Sequence, residues 1–489
     1  MVAQAHEIEL KFLCDPADVP ALLAALPPGE DREAEMSATY FDTPERALRE
    51  REAGLRLRDE PGGRRQTLKA GRGIRRIEAE ITPAGDGLDL SHAALLDLIG
   101  AETAARLEPL FEVRVRRTLR DATQEGGEIE IAIDQGEIRA GRRRRRLCEL
   151  ELELKAGEPR LLFDLARRLF DVAPLYLSFE TKADQGFALV EPPSAHRHDG
   201  VRLSADQTAA ETFQALMRSG LSQLAANGLL LRAADTAEAI HQLRVAARRM
   251  RSALSTFKGL LDAETAEAIK GELKWIASAC GEARELDVFI DETYGPAARS
   301  EAAIHGLADL GQALEAARSK AHAKARAAVA SARFRRLLLD LCAWVETGDW
   351  LAALEDGGGP AGDFAAHGLA RRRRKLARKG RGLSDLDDAA RHQVRIEAKK
   401  LRYAAEGFRS LLDDKAARRF LKRLRKVQAS LGALNDAAAA EALLTRLKVE
   451  GAGLYAAGHL AGEMTGRRAD LMATAQDAWD RFKAVDDPW

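Results

Sequence analysis

Glu7, Glu9 and Lys11 alternate through residues 6–12, so an extended backbone sets all three on one face and Ile8, Leu10 and Phe12 on the other. The same spacing groups Arg56 with Arg58, Arg76 with Glu78 and Glu80, Arg114 with Arg116, Glu130 with Asp134, and Glu149 with Glu151, Glu153 and Lys155. One reading is an ordinary half-solvated sheet, apolar inward and charged outward. Solvent faces usually mix Thr, Ser, Gln and Lys, however, whereas here basic residues cluster on some segments and carboxylates on others. A sheet face built this way suits a polyanion and its divalent cations. Guanidinium and ammonium groups hold phosphate oxygens, and carboxylates hold hard cations such as Mg2+ or Mn2+.

A second set of basic residues is duplicated. His241-Gln-Leu-Arg244-Val-Ala-Ala-Arg248-Arg-Met-Arg251 and His392-Gln-Val-Arg395-Ile-Glu-Ala-Lys399-Lys-Leu-Arg402 match position for position at an offset of 151, and Gly281-x-x-Arg284-Glu285 matches Gly432-x-x-Asn435-Asp436 at the same offset. One offset kept twice indicates two related helical units. On a helix, His241, Arg244, Arg248 and Arg251 share one face, as do His392, Arg395, Lys399 and Arg402. Arg371, Arg374 and Arg378 form a further stripe, and Lys422 belongs to another with Lys415, Arg418 and Arg425. A single stripe is most simply a solvated helix face. Several stripes, two of them duplicates, point to a surface for an anion. Aromatic residues hardly interrupt them apart from Tyr403, which favours a bare phosphate chain over single-stranded nucleic acid.

These residues need two kinds of scaffold. The chain has 489 residues, 46% of them hydrophobic and 31% charged, which is too long for one ordinary core and too apolar for wholesale disorder. Zero net charge hides an asymmetry: 30 basic against 38 acidic residues up to position 200, and 46 against 38 beyond it. A Pro-rich composition shift at residues 191–200 separates short alternating segments from long Ala/Leu/Arg/Glu-rich ones with apolar residues three and four apart. The expectation is an α+β protein of two domains, 1–192 and 205–489, with a linker at 193–204. The first is an antiparallel, closed sheet with covering helices and the second is all-α. Cys14, Cys148, Cys280 and Cys342 show no CxxC spacing and read as small hydrophobes rather than a zinc or disulfide framework. The N-terminal residues carry charge almost at once, and no stretch approaches the ~18 apolar residues of a membrane span, so a cytoplasmic location is expected.

The first strand, Glu7-x-Glu9-x-Lys11, resembles the ExExK signature of the CYTH, or triphosphate tunnel metalloenzyme, superfamily. Tyr40-Phe-Asp-Thr-Pro44, Leu55-Arg-Leu-Arg58, Thr67-Leu-Lys69, Arg76-x-Glu78-x-Glu80, Arg114-x-Arg116 and Glu149-x-Glu151-x-Glu153 extend the resemblance over residues 4–190. It implies an eight-stranded antiparallel β tunnel that binds a triphosphate. Glu7, Glu9 and Lys11 would be catalytic. Lys11, Arg56, Arg58, Lys69, Arg114, Arg116 and Lys182 would bind substrate, and Glu7, Glu9, Asp134, Glu149, Glu151 and Glu153 would hold Mg2+ or Mn2+, with the pair nearest the metal among the last three left open. The strings at His241 and His392, with Leu431-Gly-Ala-Leu-Asn-Asp436, resemble the CHAD family over residues 205–489. That resemblance implies a pair of pseudo-symmetric four-helix bundles associated with inorganic polyphosphate.

Together these resemblances imply a divalent-metal-dependent inorganic triphosphatase that cleaves tripolyphosphate to pyrophosphate and phosphate, carrying a domain for long-chain polyphosphate and able to sit on polyphosphate granules. The alternatives are a non-catalytic polyphosphate-binding protein, or an enzyme acting on thiamine triphosphate or cyclising ATP. No GxxxxGK[ST] string supports a P-loop, and zero net charge with sparse aromatics disfavours nucleic acid.

Overall fold

The computed structural model describes residues 5–60, 62–71, 74–124, 126–191, 194–197, 200–234, 236–300 and 304–489; the side chains of residues 5–7, 75–77, 355 and 437 lie outside that description. The chain forms two compact units. One comprises residues 1–195 with 331–347, and the other comprises 196–330 with 348–489.

The alternating segments of the first unit become β1 (Ala5–Leu13), β2 (Asp31–Asp42), β3 (Ala53–Glu60), β4 (Gly63–Ala70), β5 (Arg75–Ile81), β6 (Glu108–Gln124), β7 (Gly127–Ala140) and β8 (Arg143–Gly157). They pair antiparallel in the order β5-β4-β3-β2-β6-β7-β8-β1, and β1 pairs back with β5, so the sheet closes into a barrel. A two-residue strand, β9 (Tyr176–Leu177), adds to β1 on the outside of that circuit. The basic run after Ala140 begins in the turn between β7 and β8. There Gly141 opens a two-residue loop at φ 57°, a conformation that matches the twist of a hairpin and suits glycine.

Closure decides which face is inside. Leu10, Phe12, Ile131, Ile133, Leu150 and Leu152 are buried on the outer face. Helix Arg160–Phe170 packs over β7 and β8, and helix Ala332–Thr347 packs against that helix and β9. Glu9, Lys11, Asp134, Glu149 and Glu151, on the opposite face of the same strands, therefore point into the barrel. One end of the lumen is filled by an apolar cluster of Tyr40, Phe111, Val113, Val115, Ile138, Leu147, Ala183 and Phe187. Ala183 and Phe187 come from helix Lys182–Val190, whose start is fixed by a reciprocal Thr181–Asp184 capping box. That helix seats closely on the sheet: a Cβ on Gly186 would lie 2.1 Å from the Phe111 ring.

The Tyr40–Pro44 string does structural work. Asp42 is fully buried, and its carboxylate accepts hydrogen bonds from the backbone N–H groups of Thr43, Leu48 and Arg49 at 2.7, 2.9 and 3.1 Å. It thereby satisfies the start of the short helix Ala47–Glu50. Asp42→Ala is expected to lower unfolding stability by roughly 2–4 kcal/mol, since three buried donors lose their partner. Asp42→Asn, which keeps one acceptor oxygen, should lose less. Urea denaturation of the three proteins measures the difference.

The second unit is helical, and the repeat is visible in its elements. Helix Ala237–Thr256 and helix Asp388–Gly407 superpose residue for residue in sequence at the offset of 151. Each lies in a set of four: Ala209–Ala233, Ala237–Thr256, Ala263–Ala279 and Leu307–Ala330, then Ala361–Lys379, Asp388–Gly407, Asp414–Leu447 and Arg468–Lys483. The two sets meet through equivalent phenylalanines. Phe257 packs against Phe213, Phe364 and Phe408 with ring centroids 5.2, 4.5 and 5.8 Å apart, and these residues form two pairs at the same offset. The repeats differ at one joint. The first breaks at Cys280 between helices Ala263–Ala279 and Gly281–Phe289, whereas the second runs on as the 34-residue helix Asp414–Leu447.

Candidate functional site

The barrel encloses a cavity of about 250 Å3 lined by Glu9, Lys11, Arg56, Arg58, Lys69, Glu78, Arg117, Glu130, Glu151, Glu153, Lys155 and Lys182, among others. Its floor is an ion-pair cluster. Lys182 Nζ lies 2.8 Å from Asp134 Oδ2, 2.9 Å from Glu151 Oε1 and in closer contact with Glu149. Lys11 Nζ lies 3.1 Å from Glu151 Oε1 and 3.7 Å from Glu149 Oε1. Arg117 donates Nε and Nη2 to the two oxygens of Asp134, both at 2.7 Å, and Nη2 also reaches Glu151 Oε2 at 2.7 Å. Gln185 Nε2 donates to the remaining Glu149 oxygen at 3.1 Å. Three carboxylates are thus met by three cations, the condition for burying charge at tolerable cost.

The electrostatics follow from those contacts. Burial alone would raise the Glu151 carboxyl, but Lys182, Lys11 and Arg117 outweigh it and hold the group well below the usual carboxylate range. Asp134 is lowered against burial by Lys182 and Arg117. Burial would depress the Lys182 ammonium, yet Asp134, Glu149 and Glu151 push it well above its ordinary value, and Glu149 and Glu151 raise Lys11 against the same penalty. Arg58 goes the other way: burial and neighbouring Arg56 depress it. It is paired with Glu60 at 2.8 Å and Glu80 at 3.5 Å, while Tyr40 and Glu78 raise Arg56 against its burial.

Asp134, Glu149 and Glu151 bring ligand-type oxygens within 4.8 Å of one another, but each is held by Lys182 or Arg117. Glu9 differs. Its side chain is almost wholly buried on the lumen, and Oε1 has no hydrogen-bond partner among the described residues. Glu9, Glu151 and Glu153 all line the cavity, Glu151 paired with Lys11, Arg117 and Lys182 and Glu153 with Lys155.

Not every expected residue is there. Arg114 and Arg116 lie on the outer face of β6, exposed and paired with Glu112 and Glu35. The register gives the reason: Val113, Val115 and Arg117 share the inward face, so Arg117 is the β6 cation in the lumen. The Arg114-Val-Arg116-Arg117 string holds arginines of both parities. The buried alternation of Val113 and Val115 is the signal that separates them. Glu149 sits beneath the cavity, fully buried, whereas Glu151 and Glu153 face it. The Glu7 and Arg76 side chains lie outside the described residues.

A second concave site occurs in the helical unit. A groove of about 1100 Å3 is lined by His241, Arg244, Arg248, Arg395, Lys399 and Arg402 from the equivalent helices of both repeats. Buried nitrogens of these residues stand without hydrogen-bond partners among the described residues: Nδ1 of His241 and Nε of Arg244, Arg248, Arg395 and Arg402. Burial with neighbouring Arg248 depresses Arg244 to about 10, which is the mark of crowded positive charge. The remaining stripe residues do not line the groove. Arg251 is depressed by burial and Arg248. His392 hydrogen-bonds the Asn435 side chain at 2.5 Å. Arg371, Arg374, Arg378 and Lys422 lie on exposed helix faces.

An eight-stranded barrel with a lumen of paired carboxylates and cations, followed in the chain by a duplicated helical unit with a cationic groove, defines a two-domain protein. Residues 5–187 match the CYTH domain family and residues 215–445 match the CHAD domain family. The chain is a CYTH domain followed by a CHAD domain. A Haemophilus influenzae protein named inorganic triphosphatase is 31% identical over 193 residues, 38% of this chain and 55% of that one, so the chain spans about half the length of that relative. An uncharacterized protein of Mycobacterium tuberculosis is 25% identical over 408 residues, 76% of this chain and 75% of that one. Among solved structures, the CHAD domain from the plant Ricinus communis is 27% identical with a TM-score of 0.54, covering 60% of this chain and 99% of that one. No helix among the described residues is long and apolar enough to cross a membrane.

Proposed function

We propose that the barrel hydrolyses inorganic tripolyphosphate to pyrophosphate and phosphate with Mg2+ or Mn2+, and that the helical groove holds long-chain polyphosphate. The observation that carries the reading is the enclosed cavity in which Glu9, Glu151 and Glu153 share one wall with Lys11 and face Arg56, Arg58 and Lys69. The triphosphatase named among the relatives aligns with this part of the chain. Glu9, Glu151 and Glu153 would hold the metal, and Glu7 is assigned with them on its alternation with Glu9 in β1. Bound there, Mg2+ or Mn2+ supplies Lewis-acid neutralisation of phosphoryl oxygens and ionises water more readily than solvent does.

The chain's own residues do the rest. Arg56 and Arg58 bind phosphate oxygens from the facing wall. Lys182 and Arg117 keep Glu151 ionised and its carboxylate fixed, and Lys11 reaches between that carboxylate and the lumen. Glu9 Oε1, without a hydrogen-bond partner among the described residues and with Lys11 Nζ 3.9 Å away, can accept a hydrogen bond from a water lined up with the terminal phosphorus. In the helical groove, unpartnered guanidinium nitrogens offer donors to successive phosphates. Such a surface would keep the protein on polyphosphate granules in the cytoplasm.

A substrate panel of tripolyphosphate, thiamine triphosphate, ATP and long-chain polyphosphate with each metal tests the catalytic half. Orthophosphate with pyrophosphate from tripolyphosphate is the expected dominant release, and cyclic AMP from ATP would instead make the barrel a cyclase. For the groove, Arg244→Glu with Arg248→Glu in the full chain is expected to weaken polyphosphate binding at least tenfold at low salt and to flatten its salt dependence. Fluorescence anisotropy with labelled polyphosphate across a salt series checks this, and unchanged affinity would remove the groove from the site.

A further inference from the structure

The groove between the helical repeats carries one asymmetry in its charge. At the offset of 151, Arg248 of the first repeat stands where the second repeat has Lys399, and both line the groove. Guanidinium groups keep their proton at every physiological pH, whereas an ammonium group can release one. We propose that capture of a polyphosphate chain in this groove is proton-linked, with Lys399 as the residue that gains the proton. The inference rests on the polyanion reading of the groove and adds its regulation.

The surroundings of Lys399 argue for it. One turn away on its own helix stand Arg395 and Arg402, and from helix Ala237–Thr256 comes Arg248. Helix Asp414–Leu447 contributes Asp436, the carboxylate acting on Lys399; its Oδ1 lies 3.7 Å from Arg395. The other acidic residues around the groove are engaged elsewhere or stand on other helices. Glu406 pairs with Arg402 and Arg425, and Glu285 of helix Gly281–Phe289 pairs with Arg446. Glu292 lines the groove from the π-helical segment Ile290–Tyr294, and His459 pairs with Glu463 on helix Ala452–Gly466, with Arg467 beyond them. Lys399 itself has no hydrogen bond or ion pair within bonding distance among the described residues. A half-buried ammonium facing three guanidinium groups and one shared carboxylate is unfavourable, and losing its proton is the relief open to it. Burial, then Arg395 and Arg248, push it down to about 7.

A phosphate chain reverses that balance. Anionic oxygens entering the groove favour the charged ammonium, so the bound form holds a proton that the free form has partly lost, and affinity falls as pH rises through the free-state value. The first repeat, with Arg248 in the equivalent place, has no such dependence. His241, depressed to about 4 by burial, then Arg284 and other arginines, is neutral in the free groove and common to every variant below.

The test is isothermal titration calorimetry on the full chain at pH 8, with long-chain inorganic polyphosphate and EDTA, in two buffers of different ionisation enthalpy. Internal phosphates of such a chain do not titrate near neutrality, so the difference between buffers counts protons taken up by the protein. Wild type is expected to take up about one proton more per groove than Lys399→Arg. Lys399→Arg should bind more tightly than wild type at pH 8 and about equally at pH 6. Lys399→Met should bind with the weakness of wild type at high pH and with no step near pH 7. Equal proton uptake in wild type and Lys399→Arg, with both binding, would overturn the proton linkage. Absence of polyphosphate binding at every pH would instead overturn the polyanion reading beneath it.

Discussion

Arg117→Ala is expected to lower kcat/KM for tripolyphosphate about a hundredfold, while Arg114→Ala and Arg116→Ala stay within about twofold of wild type. Arg117 makes three hydrogen bonds of 2.7 Å to Asp134 and Glu151 inside the barrel. Removing it leaves two carboxylates facing each other with one compensating charge fewer, a change that costs roughly 3–5 kcal/mol for a buried pair. Glu151 then binds a proton more readily and leaves its position at the cavity wall. Because part of the loss is structural, Arg117→Lys separates the two effects. It keeps the charge but not the planar fork, so stability should largely return while kcat stays depressed. Arg114 and Arg116 meet only exposed carboxylates outside the barrel. Thermal melts and steady-state kinetics on the four variants distinguish the outcomes, and an Arg116→Ala defect equal to that of Arg117→Ala would mean that the inward face of β6 is misassigned.

Much of this site was legible in the sequence because a strand has a period of two. Once Glu9 and Lys11 share a face, closure of the barrel turns that face inward, and the same rule placed Arg56, Arg58, Lys69, Asp134 and Glu151. It failed on β6, where three arginines within four residues occupy both faces, and only the burial of Val113 and Val115 fixes the parity. It also could not rank Glu149 against Glu151 and Glu153, since depth along the lumen depends on where helix Lys182–Val190 seats its lysine. In the helical unit an exact offset revealed the repeat, and its two helix stripes held five of the groove's cations, Arg244, Arg248, Arg395, Lys399 and Arg402. The stripes at Arg371 and Lys422 were solvated faces, as helix periodicity alone cannot tell a groove from an outer surface. The assignment of residues 331–347 to the first unit had no local signal. Its cause is tertiary: helix Ala332–Thr347 packs on helix Arg160–Phe170, and Arg336 and Arg335 reach Asp171 and the Tyr176 ring.

The second large effect is expected at Glu9. Glu9→Gln preserves size and removes the charge of a lumen carboxylate whose Oε1 has no hydrogen-bond partner among the described residues, so hydrolysis should fall at least a thousandfold with little loss of stability. In a metal site the amide is a poor substitute for a carboxylate toward a hard cation. The apparent affinity for Mg2+ or Mn2+ should weaken along with kcat, and excess metal should recover part of the activity. A Glu153→Gln variant, altered on the same cavity wall, should share this metal dependence. If Glu9→Gln instead lost stability and kept its metal requirement unchanged, Glu9 would be a structural counter-charge of Lys11.

The central claim is that this barrel performs metal-dependent hydrolysis of a triphosphate, and release of pyrophosphate and orthophosphate from tripolyphosphate by the full chain measures it most directly. The account predicts equal amounts of the two products with Mg2+ or Mn2+, no release in EDTA, recovery on adding the metal back, and no release from Glu9→Gln at ordinary metal concentrations. Release that persists unchanged in EDTA, or that is as fast in Glu9→Gln as in wild type, would contradict it.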